Sequence, residues 1–186
     1  MYFPAIHDEV TTMRNYIGVQ LQAIRDAAYG LTDAQVRERP LASVFSIAGV
    51  IKHCAFGMRN QLIASGALEG EIRFEDFYAS FTLADDESFP ELLKTFDDLT
   101  QRFLDMVAAA DLEEVVNVPP APWYGQTEPA QAKRRYLVTH ALEEYARHAG
   151  HVDIIREQID GAKAAELNAA VEGRPANRFV TPWTRD

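Results

Sequence analysis

The stretch HALEEYARHAGHVDIIREQIDG, residues 140–161, contains three of the five histidines of this 186-residue chain. On a helix with about 100° per residue, side chains three and four positions apart lie on one face. Four side chains with metal-binding chemistry follow this spacing: His140, Glu144, His148 and His151. The stretch is therefore predicted to be a helix that carries a row of candidate ligands along one side.

Three further long helices are predicted upstream of this one. Apolar residues recur at spacings of three and four, and capping residues or glycines mark the ends. The predicted ranges are 4–29, 46–65 and 88–106, and the helix that contains the opening stretch starts near 127 or 129 and ends at 160. Thr32 and Gln35 predict a short capped turn of helix between the first two. Little of the chain has the alternating pattern of a strand.

These helices predict an all-α fold, a four-helix bundle in residues 1–161. The segment 66–87 is long and aromatic, so it is predicted to cross the bundle between helices two and three. Residues 162–186 are interpreted as a partly helical tail without a second core. A chain of 186 residues is long enough to bury a core without disulfides or a structural metal. A bound metal is therefore expected to be functional.

The composition argues against several classes of protein. A formal net charge of -10 argues against a nucleic-acid surface, and the basic run 133–135 is too short to change this. A single cysteine cannot form an intramolecular disulfide and is typical of a reducing compartment. The sequence shows neither a signal peptide pattern nor a run of about 18 apolar residues. We expect a cytoplasmic protein with a small-molecule substrate and without nucleic acid or membrane as a partner.

Two residues of the row are predicted to point into the bundle. The apolar positions of the helix place His148 near the middle of the buried arc, with Glu144 beside it. A buried ionised carboxylate costs several kcal/mol unless it is paired or bound to metal. His140 and His151 lie toward the edge of the arc, where we expect water to reach them. Position therefore favours Glu144 and His148 as ligands.

A third ligand must come from another helix. Outside the opening stretch the histidines are His7 and His53, and His53 lies in the middle of helix two. Gly57, one turn further on, leaves space beside it, so we select His53. Cys54 is about 100° around the helix from His53 and is interpreted as a core residue. Two histidines and one carboxylate leave positions open for water or substrate, as in catalytic zinc and non-haem iron sites.

The spacing alone permits other interpretations of these residues. A glutamate and a histidine four positions apart on a helix also form a simple hydrogen bond without any metal. His151 in place of Glu144 is an alternative ligand, although its spacing from His148 directs it further from the core. His140 is either a residue that orients a ligand or an ordinary surface histidine.

The opening stretch resembles the characteristic helix of the DinB-like superfamily. The resemblance is to the branch of mini-circle proteins and the N-terminal domain of mycothiol-dependent maleylpyruvate isomerase, which has glutamate and then histidine where many members have two histidines. Glu144 and His148 match that branch. The segment SVFSIAGVIKHCAFGMRNQLI, residues 43–63, resembles the second helix of the family, which implies His53 as the first ligand. GLTDAQVRERP and PAPWYGQT resemble further family segments, and the resemblance spans about residues 5–161.

The resemblance implies a metal-dependent enzyme that transfers a low-molecular-weight thiol, such as mycothiol, to a small electrophile. A metal in such a site lowers the pKa of a bound thiol. Zinc is the expected ion, with nickel, iron and manganese as alternatives, and the family implies a homodimer. The additional C-terminal domain of the isomerase has no counterpart here, so we do not expect isomerisation of maleylpyruvate.

Two other function classes use the same residues. In a metal-dependent hydrolase of a small molecule, the ion would activate water, and His140 or His151 would transfer protons as catalytic residues. In a non-catalytic module, the bundle would hold a metal or another small ligand. Full occupation of the metal coordination shell by protein atoms would favour the non-catalytic module.

Other residues of the matching segments are interpreted as mainly structural. Arg147, Asp153 and Arg156 occupy helical positions that suit salt bridges to neighbouring helices or to a partner subunit. Trp123 and Tyr124 lie on the proline-rich connector before helix four. They either line the mouth of the site or cap the end of the bundle.

Overall fold

The computed structural model of the chain describes residues 2–73, 75–121 and 125–185. The elements are α1 Glu9–Asp26, α2 Asp33–Arg37, α3 Ile47–Ala64, α4 Asp76–Ala79, α5 Phe89–Ala108, β1 Val115–Val118, β2 Ala130–Lys133, α6 Arg134–Asp160 and α7 Ala164–Val171. The predicted all-α fold is confirmed, and the four predicted long helices correspond to α1, α3, α5 and α6. Among the described residues, no helix combines the length and apolar composition that a membrane crossing requires.

The helix ends follow local capping chemistry. The Ser46 side chain accepts a hydrogen bond from the Gly49 backbone N–H at the start of α3, and Thr32 forms the predicted capping box of α2. Gly161, with φ of 78°, ends α6 in the left-handed conformation that glycine favours. The predicted start of α1 at residue 4 is wrong. Asp8 caps this helix instead, because its carboxylate accepts from Thr11 N–H at 2.7 Å.

The long helices bury their apolar faces against one another. α1 packs against α5 and α6, and α3 packs against the same two helices. Burial of a large apolar side chain stabilises the fold by about 1.5–3 kcal/mol. The largest fully buried apolar side chains include Ile17, Leu21, Ile24, Ile51, Met58, Leu62, Phe96, Phe103 and Ile155. The packing of α3 on α6 brings the two predicted ligand-bearing helices together.

A short antiparallel hairpin, which the sequence pattern did not predict, precedes α6. Val115 in β1 pairs with Lys133 in β2, and Val118 pairs with Ala130. The residues before position 134, predicted to be helical, are therefore extended. Pairing between distant segments decided this, since four-residue strands are too short for a clear alternating pattern.

The segment between α3 and α5 is held by side chains from the neighbouring helices. The Arg37 guanidinium donates to the carbonyls of Leu83, Ala84 and Glu87 at 2.7–3.0 Å. The Lys52 ammonium lies 2.6 Å from a carboxylate oxygen of Glu87. These contacts fix the segment against the end of the bundle that carries His53.

The C-terminal residues pack against α1 and α6. α7 contacts α1, and Leu167 and Ala169 of α7 are buried. The Trp183 backbone N–H donates to the Glu166 carbonyl at 3.0 Å. The Arg156 guanidinium lies 4.8 Å from the centre of the Trp183 ring. The end of the chain is therefore attached to α6.

Candidate metal centre

His53 of α3 and His148 of α6 face each other across the helix interface. Their ring centres lie 5.1 Å apart, with the ring planes at 65°. His148 is 6% exposed and His53 is partly buried. The structure therefore brings together two of the three predicted ligands, which lie 95 positions apart in the sequence.

Glu144 lies one helical turn before His148, at the edge of this pair. Its Oε2 is 3.8 Å from Nε2 of His148, and its side chain is 32% exposed. Four residues advance a helix by about 400°, so Glu144 is turned about 40° from His148. This rotation explains why the glutamate is partly exposed, although both side chains were expected to face the core.

The two histidines are neutral at physiological pH. Burial lowers the pKa of His53 to about 4. Burial also lowers the pKa of His148 to about 4, and nearby His53, His151 and Arg147 add to this effect. A neutral imidazole keeps one nitrogen lone pair, which is the form that binds a metal.

One buried nitrogen of this pair lacks a partner. Nδ1 of His148 is inaccessible to solvent and makes no hydrogen bond in the described structure. A buried polar atom of this kind is costly unless a ligand or an ion satisfies it. The neutral imidazoles and the adjacent carboxylate are donor types that a divalent metal binds, although Glu144 lies beside Nε2 of His148 and not beside the orphaned Nδ1.

Ser80 contacts His53 and was not among the predicted site residues. Its hydroxyl oxygen lies 2.8 Å from Nδ1 of His53, and Ser80 is 2% exposed. Ser80 follows α4 within the segment between α3 and α5. A single serine in an aromatic stretch carries no signal of its own, because only the tertiary fold places it beside a histidine.

His151 lies closer to the site than its spacing predicted. Its ring centre is 5.5 Å from that of His148 and 4.9 Å from that of Phe45. Its Nδ1 is buried and has no hydrogen-bond partner in the described structure. Because Phe45 precedes α3 and packs over this part of α6, His151 becomes the third imidazole of the cluster.

His140 lies in a separate, exposed environment. Its Nδ1 is 3.4 Å from a Glu143 carboxylate oxygen, and its ring stacks on Tyr136. His140, Glu143 and Glu144 are the one group of three metal-type ligands in the described ranges whose donor atoms all lie within 4.8 Å of one another. Exposed acidic groups often gather without an ion. His53, Glu144 and His148 do not meet this distance as a set.

Phenylalanine rings cover the histidine pair. The Phe81 ring stacks on His53 at 4.1 Å between centres, and Phe77 contacts the same imidazole edge-on at 5.6 Å. Phe45 packs edge-on against His148 at 5.9 Å. A Cβ added at Gly57 would have no neighbouring atom within 4 Å, so space remains beside His53 as predicted. The site is therefore apolar on the side of these rings and has free space at Gly57.

Three other predicted residues have different environments. Cys54 is fully buried, and burial raises the pKa of its thiol, so it remains a protonated core residue. Arg156 is also fully buried, and its contacts are within the fold rather than at the site. His7 is exposed, with Nδ1 2.7 Å from the Tyr2 hydroxyl. Trp123 and Tyr124 lie outside the described residues.

Comparison with known proteins agrees with this architecture. A family profile described as mycothiol-S-transferase matches residues 12–161. A crystal structure described as the conserved protein of locus from Enterococcus faecalis is 12% identical and has a TM-score of 0.62. That match covers 84% of this chain and 99% of that chain, and at this identity it shows a shared fold. No curated protein matches the chain. The predicted membership of the DinB-like superfamily is confirmed.

Proposed function

Because the chain belongs to the mycothiol-S-transferase family, we propose that it transfers a low-molecular-weight thiol to a small electrophile at a divalent metal. His53, Glu144 and His148 are the proposed ligands. The observation that carries this proposal is the pair of neutral imidazoles on facing helices, of which His148 is buried and His53 is partly buried. Mycothiol is the proposed thiol, on the strength of the family.

The proposed ligands define the charge of the site. Two neutral imidazoles and one carboxylate carry a charge of −1, so a divalent ion among them retains a net positive charge. Such an ion supplies a Lewis acid that lowers the pKa of a thiol. The positive charge favours an anionic sulfur nucleophile, and this donor set is typical of zinc. Nickel, iron and manganese are the alternatives for the same ligands.

The transfer step requires few protein groups. The sulfur electron pair forms the new bond to the electrophilic carbon, and the thiol proton passes to solvent. The leaving group of the electrophile departs with the electron pair of the broken bond. The rings of Phe45, Phe77 and Phe81 cover one side of this region. Of the two catalytic candidates, we propose a substrate contact for His151, which lies beside His148, and none for His140.

The first test is the metal content of the protein purified without a metal-affinity column. We expect near-stoichiometric metal in the wild type and a loss of at least about tenfold in His53→Ala and His148→Ala, because each change removes one ligand. His140→Ala is the matched control on the same helix and should keep its metal. Circular dichroism of each variant checks that the bundle still folds.

Two results would contradict this assignment. Metal lost in His140→Ala and kept in His53→Ala would place the ion at the exposed group of His140, Glu143 and Glu144. Metal absent from the wild type after incubation with zinc, nickel, manganese or ferrous ions would exclude the proposed centre.

A second test addresses the reaction. The metal-loaded protein is incubated with mycothiol and a small alkylating electrophile, and the thioether product is quantified by mass spectrometry. We expect product formation well above that of His53→Ala. A wild-type rate equal to that of the variant would refute thiol transfer for that electrophile class.

A further inference from the structure

The hydrogen bonds of Ser80 determine which nitrogen of His53 carries its proton. The Ser80 hydroxyl lies 2.5 Å from the Phe77 carbonyl oxygen and 2.8 Å from Nδ1 of His53. A carbonyl oxygen only accepts hydrogen bonds, and a serine hydroxyl has a single hydrogen. The Ser80 hydrogen is therefore donated to Phe77.

The remaining contact then has only one possible direction. Toward His53 the Ser80 oxygen presents a lone pair, so Nδ1 of His53 must be the donor and must carry the hydrogen. A neutral imidazole has one N–H, which leaves Nε2 with a free lone pair. Nε2 is the atom that can bind a metal.

We propose that Ser80 is a positioning residue that holds His53 in the Nδ1–H tautomer and so prepares Nε2 as a metal ligand. The role of His53 as a metal ligand rests on the proposed function, whereas its tautomer is a property of the metal-free protein. Hydrogen bonds to the outer nitrogen of a ligating histidine set its tautomer and ring orientation, and their loss typically weakens metal binding by about 10–100-fold.

The fold holds Ser80 in place from several directions. Its backbone N–H donates to the Asp76 carbonyl at 3.0 Å, at the end of α4. The next residue, Phe81, stacks on the His53 ring, and its carbonyl oxygen lies against Gly49 of α3. Ser80 itself is 2% exposed. Water has little access to replace the serine as the partner of Nδ1.

The tautomer is measured directly by NMR. Two-bond ¹H–¹⁵N correlation spectra of the ¹⁵N-labelled, metal-free protein show which nitrogen of each imidazole carries hydrogen. We expect Nδ1–H for His53 in the wild type and a shift toward Nε2–H in Ser80→Ala. Ser65→Ala is the matched control, because Ser65 also donates to a carbonyl three residues earlier, that of Leu62, at 2.9 Å. This control should leave the His53 spectrum unchanged.

Zinc titration supplies the second readout. We expect Ser80→Ala to bind zinc about 10–100-fold more weakly than the wild type. Ser80→Thr, which keeps the hydroxyl, should recover most of the affinity, and Ser65→Ala should bind as the wild type does.

The outcomes separate this proposal from the proposed function. Nε2–H for His53 in the wild type overturns the role of Ser80 without any variant, so the test does not depend on how well Ser80→Ala folds. An unchanged zinc affinity in a folded Ser80→Ala overturns it as well. A wild type that binds no zinc refutes the metal centre, while the spectrum still decides the tautomer.

Discussion

Among the single residues, Asp153 is a half-buried carboxylate in α6 with a perturbed pKa. Burial raises its pKa from 3.8 to about 6, and the nearby charge of Glu157 adds to this. Between these two values the folded chain holds a proton that the unfolded chain has lost. The stability that the protonated form contributes is therefore complete below about pH 4 and is lost as the pH rises through about 6.

Asp153→Asn is predicted to remove the destabilisation that the ionised carboxylate causes at neutral pH. At pH 7.5 the variant should unfold at a higher urea concentration than the wild type, with a free energy of unfolding about 1 kcal/mol larger. The gain is smaller than the full pKa shift would give, because the carboxylate is partly solvated. At pH 4 the two proteins should have the same stability. Urea denaturation at both pH values measures the difference.

Glu157→Gln is the matched control for this prediction. Its charge is the second cause of the shift, so its removal should give a smaller gain in the same direction. An Asp153→Asn protein that follows the wild-type pH profile would contradict the assignment.

Among the helices, α3 contains two glycines with opposite roles. A Cβ at Gly49 would lie 2.2 Å from the Phe81 carbonyl oxygen, whereas a Cβ at Gly57 would have no neighbour within 4 Å. Gly49 therefore permits the close approach of the segment that carries Ser80. Gly57 lies two turns further along the same helix, where no other segment approaches the backbone.

Gly49→Ala is predicted to destabilise the protein by about 2 kcal/mol, because the segment before α5 must move away from α3. Gly57→Ala should be neutral or stabilising by about 0.5–1 kcal/mol, since alanine is the better helix former. Chemical denaturation of both variants checks the contrast. Equal effects at the two positions would show that the approach of Phe81 to α3 does not require glycine.

The helix ends also show where prediction from the sequence succeeds and where it fails. The ends at Ser46 and Gly161 could be predicted, because a cap depends on the side chain or on the backbone freedom of one residue. The start of α6 could not be predicted, because residues 130–133 pair with 115–118 instead of continuing the helix. The competing hydrogen bonds come from a separate segment of the chain, which local periodicity does not detect.

Across the whole molecule, Arg156 connects the end of α1, α6 and the C-terminal segment. Its guanidinium is fully buried and donates to the carbonyls of Ala27 and Tyr29 at 2.8 and 2.7 Å. It also pairs with Asp160 at 2.8 Å and lies 4.8 Å from the centre of the Trp183 ring. A single side chain thus satisfies polar groups from separate parts of the fold.

Arg156→Ala is predicted to lower the free energy of unfolding by about 3 kcal/mol or more. It leaves one buried and one half-buried carbonyl without a donor and a carboxylate without its cation. Arg147→Ala is the control on the same helix. Arg147 pairs with Glu143 on the exposed face, and its loss should cost no more than about 1 kcal/mol. Urea denaturation compares the two variants. A similar cost for both would mean that the buried position of Arg156 contributes little.

Two features of the whole protein stay predictions. The homodimer rests on the resemblance to the family, and the cytoplasmic location rests on the single cysteine. Neither follows from the fold of one chain.

Local sequence patterns were sufficient to establish the helical fold class and to select the candidate ligands. The bundle followed from apolar spacing, and His53, Glu144 and His148 followed from their spacing on helices and from the resemblance to a known branch of the superfamily. The inference of the helical fold class succeeds because the period of a helix is a local property, which each segment of the chain carries on its own. The assignment of the three ligands stays a prediction.

The arrangement of the site, in contrast, depends on how the helices pack. Packing placed Phe45 against His151, left Glu144 partly exposed, set Ser80 on Nδ1 of His53 and kept His140 at the surface. Each of these results depends on which helix or segment lies beside a given side chain. Such contacts join residues far apart in the sequence, and the free energy of packing the whole bundle selects them.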